Sequence, residues 1–374
     1  MKRTRLIRKI PGDDEDRLSA LPDCVLCYIL SFLDTKYAVQ TCVLSKRYKN
    51  LWSSLPNLNF DKNSLKRLSS FTNFVDQVLT LRDNSVKVND FKFSSRRAIN
   101  SYFLGKVVNY AMSHGVQGLN LDIHYDGIFD FLESWHSSES LKTLELKSYV
   151  YFVQLRNPLS FPKLKILHLE RVSFEHLSCP SVRDLTLIGC APYKLDTWNI
   201  NAPQLTKLTI TSGCFELVAF KVVVSAPRLA SFCYSGSRPL SLSMGEQSGL
   251  EVISIDIDRY GWWERKKEVE KKVALDLVNL LQLFHNAKSV TLSLGTIENS
   301  SIHSKYPKNL NTEVKWWRPG LEVYNKRYHL RPNAPGDVSV LCLFLTIAIF
   351  NTKTNFIYFF NVRLVQCIVG ACGE

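Results

Sequence analysis

The chain has 374 residues, 45% apolar and 11% aromatic, enough for two domains or one elongated repeat array and too rich in core formers for general disorder. Its net charge of +13, from 47 Lys and Arg against 34 acids, is accounted for by a solvated basic surface and names no acidic partner. Ten cysteines without a regular framework, several inside apolar runs, read as reduced intracellular thiols and not as a disulfide scaffold.

The first nine residues of "MKRTRLIRKI" carry five basic side chains, and "PGDDED" then turns acidic, so no apolar signal-peptide core follows. This segment, residues 1–16, reads as a disordered tail, either simply solvated or serving as a nuclear-import signal. In "LSALPDCVLCYILSFL", Pro22 suits the first position of a helix and Asp23 complements its dipole. Val25, Leu26, Ile29, Leu30 and Leu33 recur at three- and four-residue spacing and make one apolar stripe. Asp34-Thr35 marks a turn into a second short helix around Lys36–Cys42, and Ser45 caps a predicted third, "SKRYKNLW", with Lys46, Arg47 and Lys49 exposed. Three short helices make a very small core, and such a unit gains by docking leftover apolar surface on a partner.

The stretch "LSALPDCVLCYILSFLDTKYAVQTCVLSKRYKNLW" resembles the F-box at the start of plant F-box proteins with leucine-rich repeats. The Leu-Pro-Asp start, the "ILSFL" core and the "VLSKR" to Leu-Trp ending occur in that family's order and spacing. The resemblance implies docking on a Skp-type adaptor, which links the F-box to a cullin–RING ubiquitin ligase. Carried over, the contact residues are Leu21, Pro22, Ile29, Leu30, Leu33, Val43, Leu44 and Trp52, while Val25 and Leu26 are candidates for pure core. Where the family usually has Trp this chain has Tyr48, a smaller aromatic with an added hydroxyl.

Beyond residue 60 a six-residue frame recurs, apolar-x-x-apolar-x-apolar. It starts at Val88, Val116, Leu141, Leu164, Val182, Leu205, Leu229, Leu250 and, weakly, Ala287, in steps of 28, 25, 23, 18, 23, 24, 21 and 37 residues. Most of these fall in or near the period of leucine-rich repeats. Pro162, Pro180, Pro203 and Pro227 each lie two residues before a frame, where a residue without an N–H belongs at a strand entrance. In a solenoid the stacked strands form one sheet, with Lys142, Thr143, Glu145, Lys165, His168, Arg183, Asp184, Thr186, Thr206, Lys207 and Thr209 between the inward positions. Val269, Val273, Leu277, Leu280 and Phe284 place one helix between the last two frames. Its "ERKKEVEKK" alternates in sign and lacks aromatics, so it reads as a solvated helix face, and no nucleic acid is expected.

From about Glu298 the resemblance fades. The run Val338–Phe350 is thirteen residues long, short of the roughly twenty that cross a bilayer. The segment 298–374 therefore reads as a divergent, poorly folded remnant of the family's FBD-type C-terminus, with a membrane anchor as the less favoured reading. Cys24 and Cys27 lie on an amphipathic helix with no second ligand pair near, which favours a buried helix face over a metal site. No phosphate-cradling glycine loop, G-x-S-x-G or H-E-x-x-H occurs, so neither a cofactor nor intrinsic catalysis is expected.

The expected architecture is α/β: a three-helix F-box over 17–60, an irregular leucine-rich-repeat solenoid over 61–297, and the tail. The resemblance implies a substrate receptor of a cullin–RING ligase, non-catalytic, in the nucleus and/or cytoplasm, holding an unidentified protein substrate on the repeats. The alternatives are an adaptor-binding scaffold or competitor outside any ligase, and a membrane-tethered repeat protein.

Overall fold

A computed structural model describes residues 20–124, 138–149, 153–155, 159–174, 176–192, 197–212, 221–245, 250–257 and 287–293, together with 276–277, 279–280, 283–284, 296 and 327–328. The chain enters through two short helices, α1 (Asp23–Leu30) and α2 (Thr35–Gln40), and two 3-10 turns, Thr41–Val43 and Leu51–Ser54. Strands and helices then alternate: β1 (Asn57–Asp61), α3 (Leu68–Leu81), β2 (Asp90–Ala98), α4 (Ser101–Ser113) and β3 (Gly118–His124). Strands follow: β4 (Thr143–Ser148), β5 (Val153–Leu155), β6 (Leu159–Ser160), β7 (Ile166–Glu170), β8 (Val172–Phe174) and β9 (His176–Ser178). Next come β10 (Asp184–Ile188), β11 (Ala191–Pro192), β12 (Thr197–Asn201), β13 (Lys207–Thr211), β14 (Lys221–Ser225), β15 (Ser231–Gly236) and β16 (Ser241–Met244). The last are β17 (Val252–Ile257), β18 (Ser289–Ser293) and β19 (Arg327–Tyr328).

Ten of these strands, in the order β1-β2-β3-β4-β7-β10-β13-β15-β17-β18, run parallel in one sheet, and β19 closes it antiparallel to β18. All nine expected frames become strands of this sheet, each strand starting two residues into its frame, as β7 does from Leu164. A tenth frame, "LPNLNF" from Leu55, makes β1, so the boundary expected at residue 60 falls inside a strand. Alternation follows from the strand period: Leu167 and Leu169 point inward and pack between Leu144 and Leu146 on one side and Leu185 and Leu187 on the other.

Parallel strands need a return connection outside the sheet, and frame spacing decides its form. The long first steps hold α3 and α4, whose buried stripes (Phe71, Val75, Val78 and Leu79; Leu104, Val107, Val108 and Ala111) cover the back of β1–β3. α4 is stopped by Gly115 in the left-handed region, φ 69°, with Val116 N–H donating to Ala111 O and Gly115 N–H to Met112 O. The shorter steps from β4 onward hold strands instead: a five-stranded parallel sheet, β16-β14-β12-β9-β6, and a three-stranded one, β11-β8-β5. Helix returns where the step lengthens to 37 residues, at 276–277 and 279–280, with Leu277 and Leu280 buried and the Phe284 ring 5.0 Å from Phe232. Val269 and Val273 of that expected stripe lie outside the described residues.

The prolines take the corners between the rear strands and the main sheet. Pro180, Pro203 and Pro227 each sit second in a turn closed from the fourth residue's N–H to the first residue's carbonyl: Val182 to Cys179 (3.3 Å), Leu205 to Ala202 (3.0 Å) and Leu229 to Ala226 (3.1 Å). Beyond each corner, one carbonyl accepts two N–H groups from the next coil; Arg183 O takes those of Thr206 and Lys207, each at 2.9 Å. Among the described residues no helix is long and apolar enough to cross a membrane. The N-terminal segment 1–16 and the run 338–350 lie outside them.

Leu185 is fully buried between Leu167 and Leu208, whereas its neighbour Thr186 faces outward. Leu185→Ala should lose about 2–5 kcal/mol of stability, and Thr186→Ala should stay within about 0.5 kcal/mol of the parent, read as shifts of the urea midpoint.

Candidate docking face and repeat surface

α1 is polarised. Leu26 and Leu30 turn inward to Ala38, Tyr48, Leu51 and Leu55, a second small core. The rest of the helix stays uncovered, with Val25, Tyr28 and Ile29 exposed on it and Phe32 and Leu33 just beyond it, and Val43 and Leu44 at the 3-10 turn are exposed as well, at 82% and 67%. Tyr28 and Phe32 meet edge to face, ring centroids 4.9 Å apart. Large apolar groups displayed together on so small a unit mark an interaction surface.

The two halves of the sequence motif are tied by one side chain. Arg47 pairs with Asp23 (2.6 Å) and also donates to Leu21 O, so the "SKR" turn clamps the Leu-Pro-Asp start of α1. That reach, together with Tyr48 turning into the core, leaves Lys46–Asn50 as turns followed by the 3-10 turn Leu51–Ser54, where a third helix was expected. Tyr48 is the buried aromatic of this core, at the position where Trp was anticipated.

The eight expected contact residues separate into two groups. Pro22, Ile29, Leu33, Val43 and Leu44 are exposed and Leu21 is half-buried at the rim of the small core. Leu30, at 5% exposure, fills the core, because it lies on the inward arc of α1 with Leu26. Trp52, partly buried, packs against both the small core and the solenoid core and so acts as a wedge between them. Tyr28 and Phe32 were missed as surface residues; their i, i+4 spacing beside Ile29 and Leu33 was the available signal. Val25 is likewise exposed, where core was the expectation. The expected buried face for the two α1 cysteines is also revised, as Cys24 is exposed and Cys27 half-buried.

Hydrogen bonds join this unit to the solenoid. Thr35 Oγ1 accepts the Asn59 N–H at 2.8 Å, Asp34 accepts that of Asp61 at 3.3 Å, and Lys36 Nζ donates to Ser64 O at 2.6 Å. Asp34 also caps α2 through the Lys36 N–H (2.8 Å), while burial raises its carboxyl above the usual range despite both backbone donors. Behind the joint, buried Arg82 donates to the carbonyls of Leu55, Val86 and Lys87 at 2.8–3.1 Å. Its charge is thus met by backbone dipoles.

The outward rows of the main sheet are in register. One runs Asn59, Lys92, Asn120, Glu145, His168, Thr186, Thr209, Cys233, Ser254 and Thr291. Charge concentrates on its first half, where Glu145 pairs with Lys147 at 2.6 Å and Asp122 accepts from Tyr149 Oη. From β10 onward the row is hydroxyls and one thiol. Among the described residues no group of His, Cys, Asp and Glu is arranged to hold a metal.

Residues 18–60 match the F-box domain family. Over 230 residues the chain is 30% identical to an F-box/LRR-repeat protein of Arabidopsis thaliana, covering 57% of this chain and 48% of the relative. A putative FBD-associated F-box protein of the same organism is 27% identical over 318 residues, 82% and 72% of the two chains. A further Arabidopsis F-box/LRR-repeat protein is 28% identical over 308 residues, 79% and 95%. The chain thus spans about half the length of the first of these relatives and nearly all of the last.

Two measurements check this geometry. Leu30→Ala should lower the urea midpoint, by about 2–5 kcal/mol in stability, whereas Val43→Ser should leave it within about 0.5 kcal/mol. On the sheet, burial lowers the pKa of His168 below its ordinary 6.5, in a surround of Glu145, Lys147, Glu170 and Asp184. The unfolded chain therefore binds the proton first, so the contribution is present above pH 6.5 and is lost as pH falls through the lowered folded value. A pH series of urea melts should show a shallower fall below pH 6.5 for His168→Gln than for the parent.

Proposed function

We propose that this chain, an F-box protein of the plant leucine-rich-repeat type, is a substrate receptor of an SCF-type cullin–RING ubiquitin ligase. It docks on a Skp-type adaptor, and through it on cullin, and holds a protein client on the repeat sheet. The observation that carries the reading is the uncovered apolar surface of α1 and the Val43–Leu44 turn, borne by a segment that matches the F-box and is hydrogen-bonded to the first strand of the array. The contacts assigned to the adaptor are Leu21, Pro22, Ile29, Leu33, Val43 and Leu44, with Tyr28 and Phe32 added. The protein supplies proximity and orientation, and the covalent chemistry belongs to the ligase's other subunits. The site of action in this reading is the nucleus and/or cytoplasm.

The test is capture of purified Skp-type adaptor and cullin by the full chain, beside Val43→Asp with Leu44→Asp. Both positions are exposed, so the variant should keep the parent's circular dichroism while losing capture by at least about tenfold, since a charge placed in a desolvated contact has no partner. Adaptor capture without cullin would turn the reading toward a scaffold or competitor. No adaptor capture by the parent would end the ligase reading.

A further inference from the structure

α1 carries two thiols three residues apart, at its second and fifth positions. Cys24 is exposed and Cys27 is half-buried. Side chains at this spacing on a helix have Cβ atoms about 5–6 Å apart, and a disulfide draws them to about 3.5–4.5 Å, so one turn must tighten by roughly 1–2 Å. The turn in question is the first of the helix, where Pro22 caps without any side-chain hydrogen bond and its carbonyl already accepts both the Val25 N–H (3.0 Å) and the Leu26 N–H (3.1 Å), the first of these being the tighter 3-10 type of bond. Burial raises the Cys27 thiol, with Asp23 and then Cys24 adding to it, so Cys27 attacks through a small thiolate fraction.

We infer that Cys24 and Cys27 form a reversible redox pair whose closure weakens adaptor docking; the docking half of this rests on the function proposed above. Hydrogen peroxide delivers one oxygen to the exposed Cys24 sulfur, giving a sulfenic acid and one water. The Cys27 sulfur then attacks the Cys24 sulfur and forms the S–S bond, and the displaced hydroxide leaves as a second water with the Cys27 proton. Two thiols lose two electrons and the peroxide O–O bond takes them up. A thiol reductant reverses the step by exchange.

The structural consequence follows from what each sulfur touches. Cys27 Sγ donates to Leu51 O at 3.8 Å, linking α1 to the 3-10 turn that bears the Trp52 wedge. Closure pulls Cys27 off that carbonyl. Cys24 lies one helical turn before Tyr28, at the flank of the exposed aromatic pair, and its displacement shifts the edge of the docking surface.

The experiment uses the full chain, reduced, peroxide-treated, and treated then reduced again, with adaptor affinity and peptide masses measured on each sample. The expected results are a Cys24–Cys27 linked segment two hydrogens lighter, and adaptor affinity about tenfold weaker, a change of about 1.4 kcal/mol, restored by dithiothreitol. Cys24→Ser, compared with its own reduced form, should show neither change, and Cys42→Ser should show both. Absence of the linked segment, its formation with Cys42 instead, or a peroxide effect that persists in Cys24→Ser overturns the inference. A linked segment with unchanged affinity overturns the gating. Failure of the reduced parent to bind adaptor removes the docking reading itself, while the mass measurement still decides the pair.

Discussion

A stack of parallel strands ends in an edge whose amides and carbonyls want another strand. At the start of this sheet that demand is met by two side chains, Thr35 accepting from Asn59 and Asp34 from Asp61. Asp34 is the N-cap of α2 and Thr35 its first residue, so the small helical unit serves as the cap that a solenoid requires at its terminus. The rest of the N-terminal architecture depends on this. Leu55 belongs to the small core while opening the first repeat frame, Trp52 packs on both cores, and Arg82 reaches back to the Leu55 carbonyl. The inward arc of α1 packs on Tyr48, Leu51 and Leu55, which leaves Val25, Tyr28 and Ile29 uncovered.

The repeat array was legible because its frame states a strand period and its prolines state where strands begin. A first apolar residue, two polar ones, then an alternating apolar pair is what a corner followed by a one-sided strand must look like. Leu164, Leu167 and Leu169 carry it into the folded sheet without a shift. The frame at Leu55 escaped because it overlaps the F-box signature and stands 33 residues before the next. On the docking unit the pattern could give the stripe but not its sense. Val25, Leu26, Ile29 and Leu30 share one side of a helical wheel, and only the position of Tyr48 and the 3-10 turn decides that Leu26 and Leu30 are covered. The inward role of Trp52 was equally out of reach, since the surface it fills is built from residues on both sides of the joint.

One local departure shows how rigid the coils are. Gly189 and Arg171 occupy the same turn after adjacent strands, both in the left-handed region (φ 56° and 54°), each donating its N–H to the next coil. Glycine takes that conformation freely, and arginine pays roughly 1–2 kcal/mol for it. The Arg171 guanidinium offsets the strain by donating to Tyr149 O at 2.6 Å, binding the end of β4 to its neighbour.

The change from helix-backed to strand-backed coils sets the shape a partner meets. Helices pack about 8–10 Å apart, whereas neighbouring strands lie about 4.8 Å apart, so coils returning through α3 and α4 are forced wider at the back than at the front and must bend the array. From β4 to β16 both faces of the coil are strands with one and the same spacing. The spacing of the strands at the back there equals that of the strands at the front, so the strand returns themselves impose no splay. A molecule laid along the hydroxyl-rich row of β10 to β17 therefore meets hydroxyl and thiol groups at a fixed strand-to-strand repeat of about 4.8 Å.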